Sequence, residues 1–224
     1  MIIIIGASKG LGRTLAKKLS HWQNTLVLTG RNQQQLSAIA DEIRETRKGK
    51  IFIRQLDLMH SKEVEEFVDF VVGIDEPVRA IVNTVAGYYK GSFINESIQS
   101  IDELVRTTFT GPIHLIAKML QAARRSNPFD IVNITAVSAA TNLDTSRSSI
   151  MHVTTKAAIH LFGLTAGREL STAGVRFCSI APGTFQRHEH LGIPESTIAD
   201  CVDFVLKCPA EAWVESIVIR LTGK

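Results

Sequence analysis

The sequence predicts an α/β fold: a doubly wound sheet of about seven parallel strands with helices on both faces. Three observations predict it. Short apolar runs alternate with longer stretches of helical periodicity. A glycine-rich turn joins the first run to the first helical stretch. Of the 224 residues, 45% are apolar, enough to bury a substantial core.

Each element follows in order. Ile2 to Ile5 is a continuous β-branched run, as expected for a strand covered on both faces. Residues 10–20 form a helix with Leu11, Leu15 and Leu19 on one face. Further strands are expected at 25–29, 51–56, 78–85, 130–136, 175–181 and 215–221. Helices are expected at about 33–47, 61–72, 97–107, 109–126, 149–172 and 195–207. No repeat, low-complexity segment or linker intervenes, so one domain over residues 1–224 is expected. Loop-rich stretches at 86–96, 137–148 and 182–194 fall where strands end. In an open α/β sheet, ligands bind there.

Composition narrows the function classes. Charged residues are 21%, with 15 Gly and 6 Pro, which excludes a disordered, collagen-like or coiled-coil chain. No apolar run approaches the roughly 18 residues of a membrane span. The apolar start has neither a basic region before it nor a small-residue cleavage site after it, so it reads as a strand and not a signal peptide. The three cysteines, Cys178, Cys201 and Cys208, have no paired spacing and fit reduced cytoplasmic thiols. The formal net charge is +3, but residues 1–50 carry nine Lys/Arg against three Asp/Glu. A phosphate-rich cofactor or a nucleic acid would each suit that excess. Aromatics at 6%, with no basic and aromatic interleaving, argue against nucleic acid. His188-Glu189-His190 lacks a third ligand nearby, so no metal is expected.

Gly6-Ala7-Ser8-Lys9-Gly10-Leu11-Gly12 follows the first strand and opens the first helix. Gly6 permits the tight turn, Gly10 lets a phosphate approach the backbone, and Gly12 lets the helix pack on the strand. Freed N–H groups and the helix dipole then favour a pyrophosphate. The GxxxGxG spacing resembles the short-chain dehydrogenase/reductase family, and the resemblance runs nearly end to end. Asp57-Leu58 resembles the acidic motif that holds adenine, and Ala86-Gly87 the end of the NNAG motif. Residues 131–135, ending in Thr135, resemble the fifth strand, Lys156 the lysine of the YxxxK helix, and Pro182-Gly183-Thr184 the PG motif. The resemblance implies a Rossmann-like fold and a small carbonyl or alcohol substrate. It also implies a homodimer or homotetramer built on the helices at 109–126 and 149–172, with no membrane or nucleic-acid partner.

The second strand ends Leu28-Thr29-Gly30-Arg31-Asn32, with no carboxylate to hold a ribose 2′-OH. Arg31, with Lys9 in the glycine turn, suits a 2′-phosphate, so the expected cofactor is NADP(H). The catalytic positions that the resemblance marks diverge. His152 stands in the Tyr place, Ala136 in the Ser place and Thr108 near the Asn place, leaving Lys156. Two readings follow. In one, His152 replaces Tyr as general acid, with Ser138 standing in for the missing hydroxyl. In the other, the chain binds NADP(H) without redox chemistry, as a cofactor sensor or assembly partner. Tyr88, Tyr89, Phe93, Leu143, Phe185 and Leu191 are expected to line a partly apolar pocket.

Overall fold

The computed structural model describes residues 1–47, 49–87, 92–142, 149–185 and 192–222. Its sheet is built from β1 (Ile2–Ile5), β2 (Leu26–Gly30), β3 (Ile51–Gln55), β4 (Val78–Asn83), β5 (Arg125–Ile134), β6 (Val175–Pro182) and β7 (Ser216–Ile219). All seven strands are parallel, in the order β3-β2-β1-β4-β5-β6-β7. The order reverses between β1 and β4. The first two crossovers run one way from β1 and the later ones run the other, which opens a crevice at the carboxyl ends of those two strands.

The helices are α1 (Gly10–Leu19), α2 (Gln33–Arg44), α3 (Ser61–Gly73), α4 (Ile98–Val105), α5 (Gly111–Ala122), α6 (Ile150–Leu170) and α7 (Glu195–Lys207). Side chains alternate across a strand, so the sheet has two apolar faces. On one, Ile2, Ile4, Leu26 and Leu28 meet Leu15 and Leu19 of α1, Leu36 of α2 and Val202 of α7. On the other, Ile3, Ile5, Val27 and Ile131 meet Phe67 of α3 and Leu115 and Met119 of α5, with Phe162 of α6 at the margin. The all-apolar β1 is buried along its whole length, as a strand covered on both sides must be.

Two boundaries differ from the sequence reading. The helices expected at 97–107 and 109–126 are one rod, in which a π-helical turn over Arg106–Thr110 joins α4 to α5. A Cβ on Gly111 would lie 2.6 Å from Leu58 O and 2.7 Å from Arg106 O, so its missing side chain is what lets the rod pass so close. The rod also ends at Ala122, and β5 begins at Arg125, five residues ahead of the expected start. The Asn127–Pro128 peptide is cis, and the pairing with β4 shifts register between Val78 and Ala80. This polar, proline-containing entry carries no apolar alternation, which is why it does not read as a strand.

Inside the sheet Asp130 is buried between two guanidinium groups. Arg176 reaches Oδ1 with Nε at 2.7 Å and Oδ2 with Nη2 at 3.0 Å, and Arg79 also bonds Oδ2. The same arginines hold the end of α7 and the chain after it: Arg79 Nη2 donates to Leu206 O at 2.7 Å, and Arg176 Nη1 to Pro209 O at 2.6 Å. No helix among the described residues is long and apolar enough to cross a membrane.

Candidate active site

The turn between β1 and α1 is shaped by two glycines. Gly6 has φ +87°, and a Cβ there would lie 2.6 Å from Thr84 Oγ1. Gly12 has ordinary helical backbone, but its Cβ would lie 2.0 Å from Gly6 O, so only a hydrogen lets α1 pack on the end of β1. The Gly6 and Ala7 N–H groups donate to Thr29 O at 2.8 and 2.9 Å, tying the turn to β2. Lys9, at the cap position of α1, makes no side-chain cap, and no acid occupies the first turn. Helix-end N–H groups and the dipole then suit an anion. Leu11 is buried and belongs to the core; its contribution to the turn is its backbone. One carboxylate approaches from α7. Glu195 Oε2 accepts from Thr14 Oγ1 at 2.8 Å, and its Oε1 lies 3.4 Å from where a Gly10 Cβ would stand.

The ends of β2 and β3 flank this turn. Ser8 Oγ lies 3.2 Å from the position a Gly30 Cβ would take, so Ser8 covers the last residue of β2. Lys9 and Arg31 are exposed, and neither forms an ion pair among the described residues. Most other cations of the first 50 residues are engaged: Arg13 and Lys17 with Glu42, Lys18 with Asp200 and Arg44 with Asp41. Asn32 caps α2, accepting from Gln35 N at 2.9 Å. After β3, Asp57 Oδ1 accepts from Met59 N at 3.0 Å, and Leu58 is buried against α3 and α5.

Across the switch point α6 lies along the segment that leaves β4. Its N-cap Ser149 accepts from His152 N at 3.2 Å, which puts His152 in the first turn. His152 Nδ1 is 3.2 Å from Gly87 O. One turn later the Lys156 ammonium donates to Ile134 O at 2.5 Å and Val85 O at 3.3 Å. Positions four apart share a helix face, and here that face reads two carbonyls two residues apart. Thr108, fully buried in the π-helical turn, accepts from Gly87 N at 2.8 Å. Gly87 is thus met at its N–H by Thr108 and at its carbonyl by His152. Burial pushes the Lys156 ammonium down to about 8. Burial also holds His152 below the ordinary histidine value, with the nearby Lys156 acting in the same direction and the Gly87 carbonyl against it.

A family model for the short chain dehydrogenases matches residues 1–190. The chain belongs to the short-chain dehydrogenase family. Among similar proteins are uncharacterized oxidoreductases of Staphylococcus epidermidis, 25% identical, and Staphylococcus haemolyticus, 28% identical. Each alignment covers 97% of this chain and 95% of the relative. Of solved structures, an alcohol dehydrogenase from the archaeon Thermococcus sibiricus, complexed with 5-hydroxy-NADP, superposes with TM-score 0.86 at 25% identity. It covers 100% of this chain and 97% of that one. A metagenomic short-chain oxidoreductase in complex with NADP superposes with TM-score 0.83 at 24% identity over 99% and 97% of the two chains, which speaks for the fold.

The fold of this short-chain dehydrogenase brings much of the expected site to one end of the sheet. Gly6 to Gly12, Arg31, Ala86-Gly87, Thr108, His152 and Lys156 all lie at or beyond carboxyl strand ends or on the helices facing them. Ser138 is half-buried in a second π-helical turn, Ser138–Asn142, which packs on α6. Thr135 turns inward, its hydroxyl donating to Ile180 O at 3.2 Å, so its side chain is spent on the sheet. Pro182 ends β6, Gly183 N donates to Ile219 O at 2.8 Å, and the exposed Thr184 accepts from Ile193 N at 2.9 Å. Of the expected pocket wall, Phe93 is exposed and Phe185 half-buried; Tyr88, Tyr89, Leu143 and Leu191 lie outside the described residues, as does the His188–His190 pair. No cluster of three potential metal ligands occurs among the described residues. Sequence reading missed Glu195 and Thr14, 181 residues apart and brought together by the packing of α1 on α7. It also missed that Gly87 is the common partner of Thr108 and His152. A backbone partner leaves no mark in a sequence.

Proposed function

We propose that the chain is an NADP(H)-dependent oxidoreductase that interconverts a small carbonyl compound and its alcohol, with His152 in the usual Tyr place. One observation carries this reading: α6 sets an imidazole and a buried ammonium one turn apart against carbonyls at the strand ends, beside the glycine turn. Such perturbed, clustered groups in a crevice are what proton-transfer chemistry requires. The residues present fit the cofactor. Gly6, Gly10 and Gly12 make the turn that takes a pyrophosphate, and Lys9 and Arg31 are exposed cations suited to a 2′-phosphate. The Thermococcus relative's complex with 5-hydroxy-NADP supports the phosphorylated form. When bound, such a cofactor supplies or accepts the hydride. His152 exchanges the proton of the substrate oxygen, and Lys156 keeps that region positively charged. Thr108 positions Gly87, and Ser138, in the π-helical turn that packs on α6, is the hydroxyl assigned to orienting the substrate. The free thiols Cys178, Cys201 and Cys208 fit a reducing cytoplasm.

The test is turnover with NADPH and NADP+ against aldehydes, ketones and alcohols, before and after His152→Phe. A proton-transfer role predicts a loss of about 10²–10⁴-fold with cofactor binding retained. Full activity in the variant would overturn the role. A second reading, a non-catalytic NADP(H) sensor or assembly partner, is favoured by Ala136 in the Ser place and by Lys156 already holding two protein carbonyls. Binding without turnover of any substrate would favour it. A homodimer or homotetramer suits either reading: α6 carries apolar residues on more than one face, and Leu161, 61% exposed, is left for a second copy to cover. Light scattering at micromolar concentration reads this directly.

A further inference from the structure

We propose that Arg220, the residue after β7, holds an anionic group of the substrate, a carboxylate or a phosphate, so that the chain acts on an acidic carbonyl compound or its alcohol. The inference rests on the oxidoreductase reading above and adds the charge of the substrate.

Strand parity and one contact place the guanidinium. Ile217 and Ile219 of β7 pack on the core that α1, α2 and α7 cover. Side chains alternate along a strand, so the alternation carried on to 220 sends Arg220 to the opposite side, that of α6. There its Nη2 donates to Thr141 Oγ1 at 2.7 Å, 79 residues away in the chain. Thr141 in turn donates to Val137 O at 2.9 Å. The sheet order puts β6 between β5 and β7, so Arg220 reaches across the carboxyl end of β6 to the π-helical turn after β5. That turn carries Ser138 and packs on α6, whose first turn carries His152. The near end of the span adjoins Gly183. Gly183 N donates to Ile219 O at 2.8 Å, and Leu221 N lies 3.9 Å from where a Gly183 Cβ would stand. Arg220 therefore stands between the Pro182-Gly183-Thr184 segment, expected at the cofactor, and the turn whose hydroxyl is assigned to the substrate.

The charge of Arg220 has no carboxylate partner among the described residues, whereas Arg124, Arg168 and Arg176 each have one. The residue is exposed, and the one partner of its guanidinium is a neutral hydroxyl. Such a contact fixes the long side chain without neutralising it, which preorganises the cation for a ligand. The remaining donors of the planar fork match a carboxylate or a phosphate in bidentate fashion.

The probes are two pairs of carbonyl compounds reduced with NADPH: levulinate with its methyl ester, and dihydroxyacetone phosphate with dihydroxyacetone. Within a pair the members differ in the anionic group. The wild type should prefer the anionic member of one pair in kcat/KM by about tenfold or more, since a charge-assisted bond contributes roughly 1.5–3 kcal/mol. The pair that responds tells carboxylate from phosphate. Arg220→Gln should remove the preference, chiefly through KM, and leave the neutral member little changed. Arg220→Lys should keep part of it, having the charge without the fork. Equal losses for both members in Arg220→Gln would show that Arg220 only props the turn and would overturn the inference, as would a wild type with no anionic preference. Calorimetry of both anions, with NADP+ present to fill the cofactor's own phosphate positions, needs no turnover. Binding weakened about tenfold by Arg220→Gln, without turnover of any probe, would sink the oxidoreductase reading and leave the anion site standing. Binding that the variant does not alter would overturn the anion site whatever the activity.

Discussion

Replacing Lys156 by Met should make the fold more stable at pH 7, and the gain should vanish in alkali. Lys156 is fully buried, and burial lowers its ammonium from the ordinary 10.5 to about 8. At about 1.4 kcal/mol per pH unit, that difference is a penalty of about 3 kcal/mol carried by the native state. The sign follows from proton linkage. Below pH 8 the lysine is charged in both states, and the native state bears the whole cost. Between pH 8 and 10.5 the native lysine releases its proton while the unfolded one keeps it, so native stability rises with pH. Above 10.5 both are neutral. Methionine matches the stem but leaves Ile134 O and Val85 O without their ammonium donor, a cost of about 1–3 kcal/mol. That cost is nearly independent of pH. The difference in unfolding free energy, variant minus wild type, should therefore fall by about 3 kcal/mol between pH 7 and pH 10.5. Urea unfolding at both pH values measures it. A difference that does not move with pH would refute a titrating, desolvated lysine at this position.

Four other outcomes are expected. Arg31→Ala should weaken NADPH binding, read by fluorescence titration, by about tenfold or more while NADH binding changes little, since a charge-assisted bond contributes roughly 1.5–3 kcal/mol; equal weakening of both would remove Arg31 from the 2′-phosphate. Gly12→Ala should abolish binding of either cofactor and lower the melting temperature, because its Cβ would lie 2.0 Å from Gly6 O; unchanged binding would contradict the close packing of α1. Glu195→Gln should tighten NADP(H) binding by about 2–5-fold, since a carboxylate beside a helix N-terminus competes with an anion there for about 0.3–1 kcal/mol; weaker binding would show that Glu195 supports the turn through Thr14. Asp130→Asn should destabilise the protein by about 3–5 kcal/mol by leaving two guanidinium groups uncompensated in the sheet, which a urea midpoint would show.

The sheet was legible because its strands are buried on both faces and so read as unbroken apolar runs. Ile2 to Ile5 is the plainest case, and α7 matches the periodicity reading at both ends. What escaped had no local signature. The polar entry of β5 at Arg125 pairs with Val78 before the register shifts, so it is a strand by virtue of its neighbour. Nothing in Arg106-Thr107-Thr108-Phe109-Thr110 marks a π-helical turn; the close approach of Gly111 to Leu58 O is a tertiary fact. Asp130 read as an ordinary strand residue, because its partners lie on two neighbouring strands. The site divides the same way. Gly6, Gly10 and Gly12 were legible because steric need restricts those positions to glycine. The spacing of His152 and Lys156 was legible because a helix fixes it. Their partners, the carbonyls of Val85, Gly87 and Ile134, were not, since every residue carries that group.

Two of the divergent positions meet on one residue, Gly87. Thr108, near the Asn place, accepts the Gly87 N–H at 2.8 Å, and His152, in the Tyr place, stands 3.2 Å from the Gly87 carbonyl. The Gly87 N–H and the Gly87 carbonyl belong to successive peptide units, so the two contacts together fix the orientation of this one residue. Thr108 therefore bears on the placement of the carbonyl that faces His152 without touching His152. A side chain at 87 would also displace Leu104, whose Cδ2 lies 2.6 Å from where a Gly87 Cβ would stand. Gly87, Thr108 and His152 thus form a coupled unit on three separate chain segments, with the buried charge of Lys156 one turn away. Such an arrangement costs stability at Lys156, and a fold that needed only to hold its sheet together has a cheaper solution in an apolar side chain. What the costly one supplies is an ammonium one turn from the imidazole of His152 at the carboxyl ends of the strands, the place where the proposed reaction exchanges a proton.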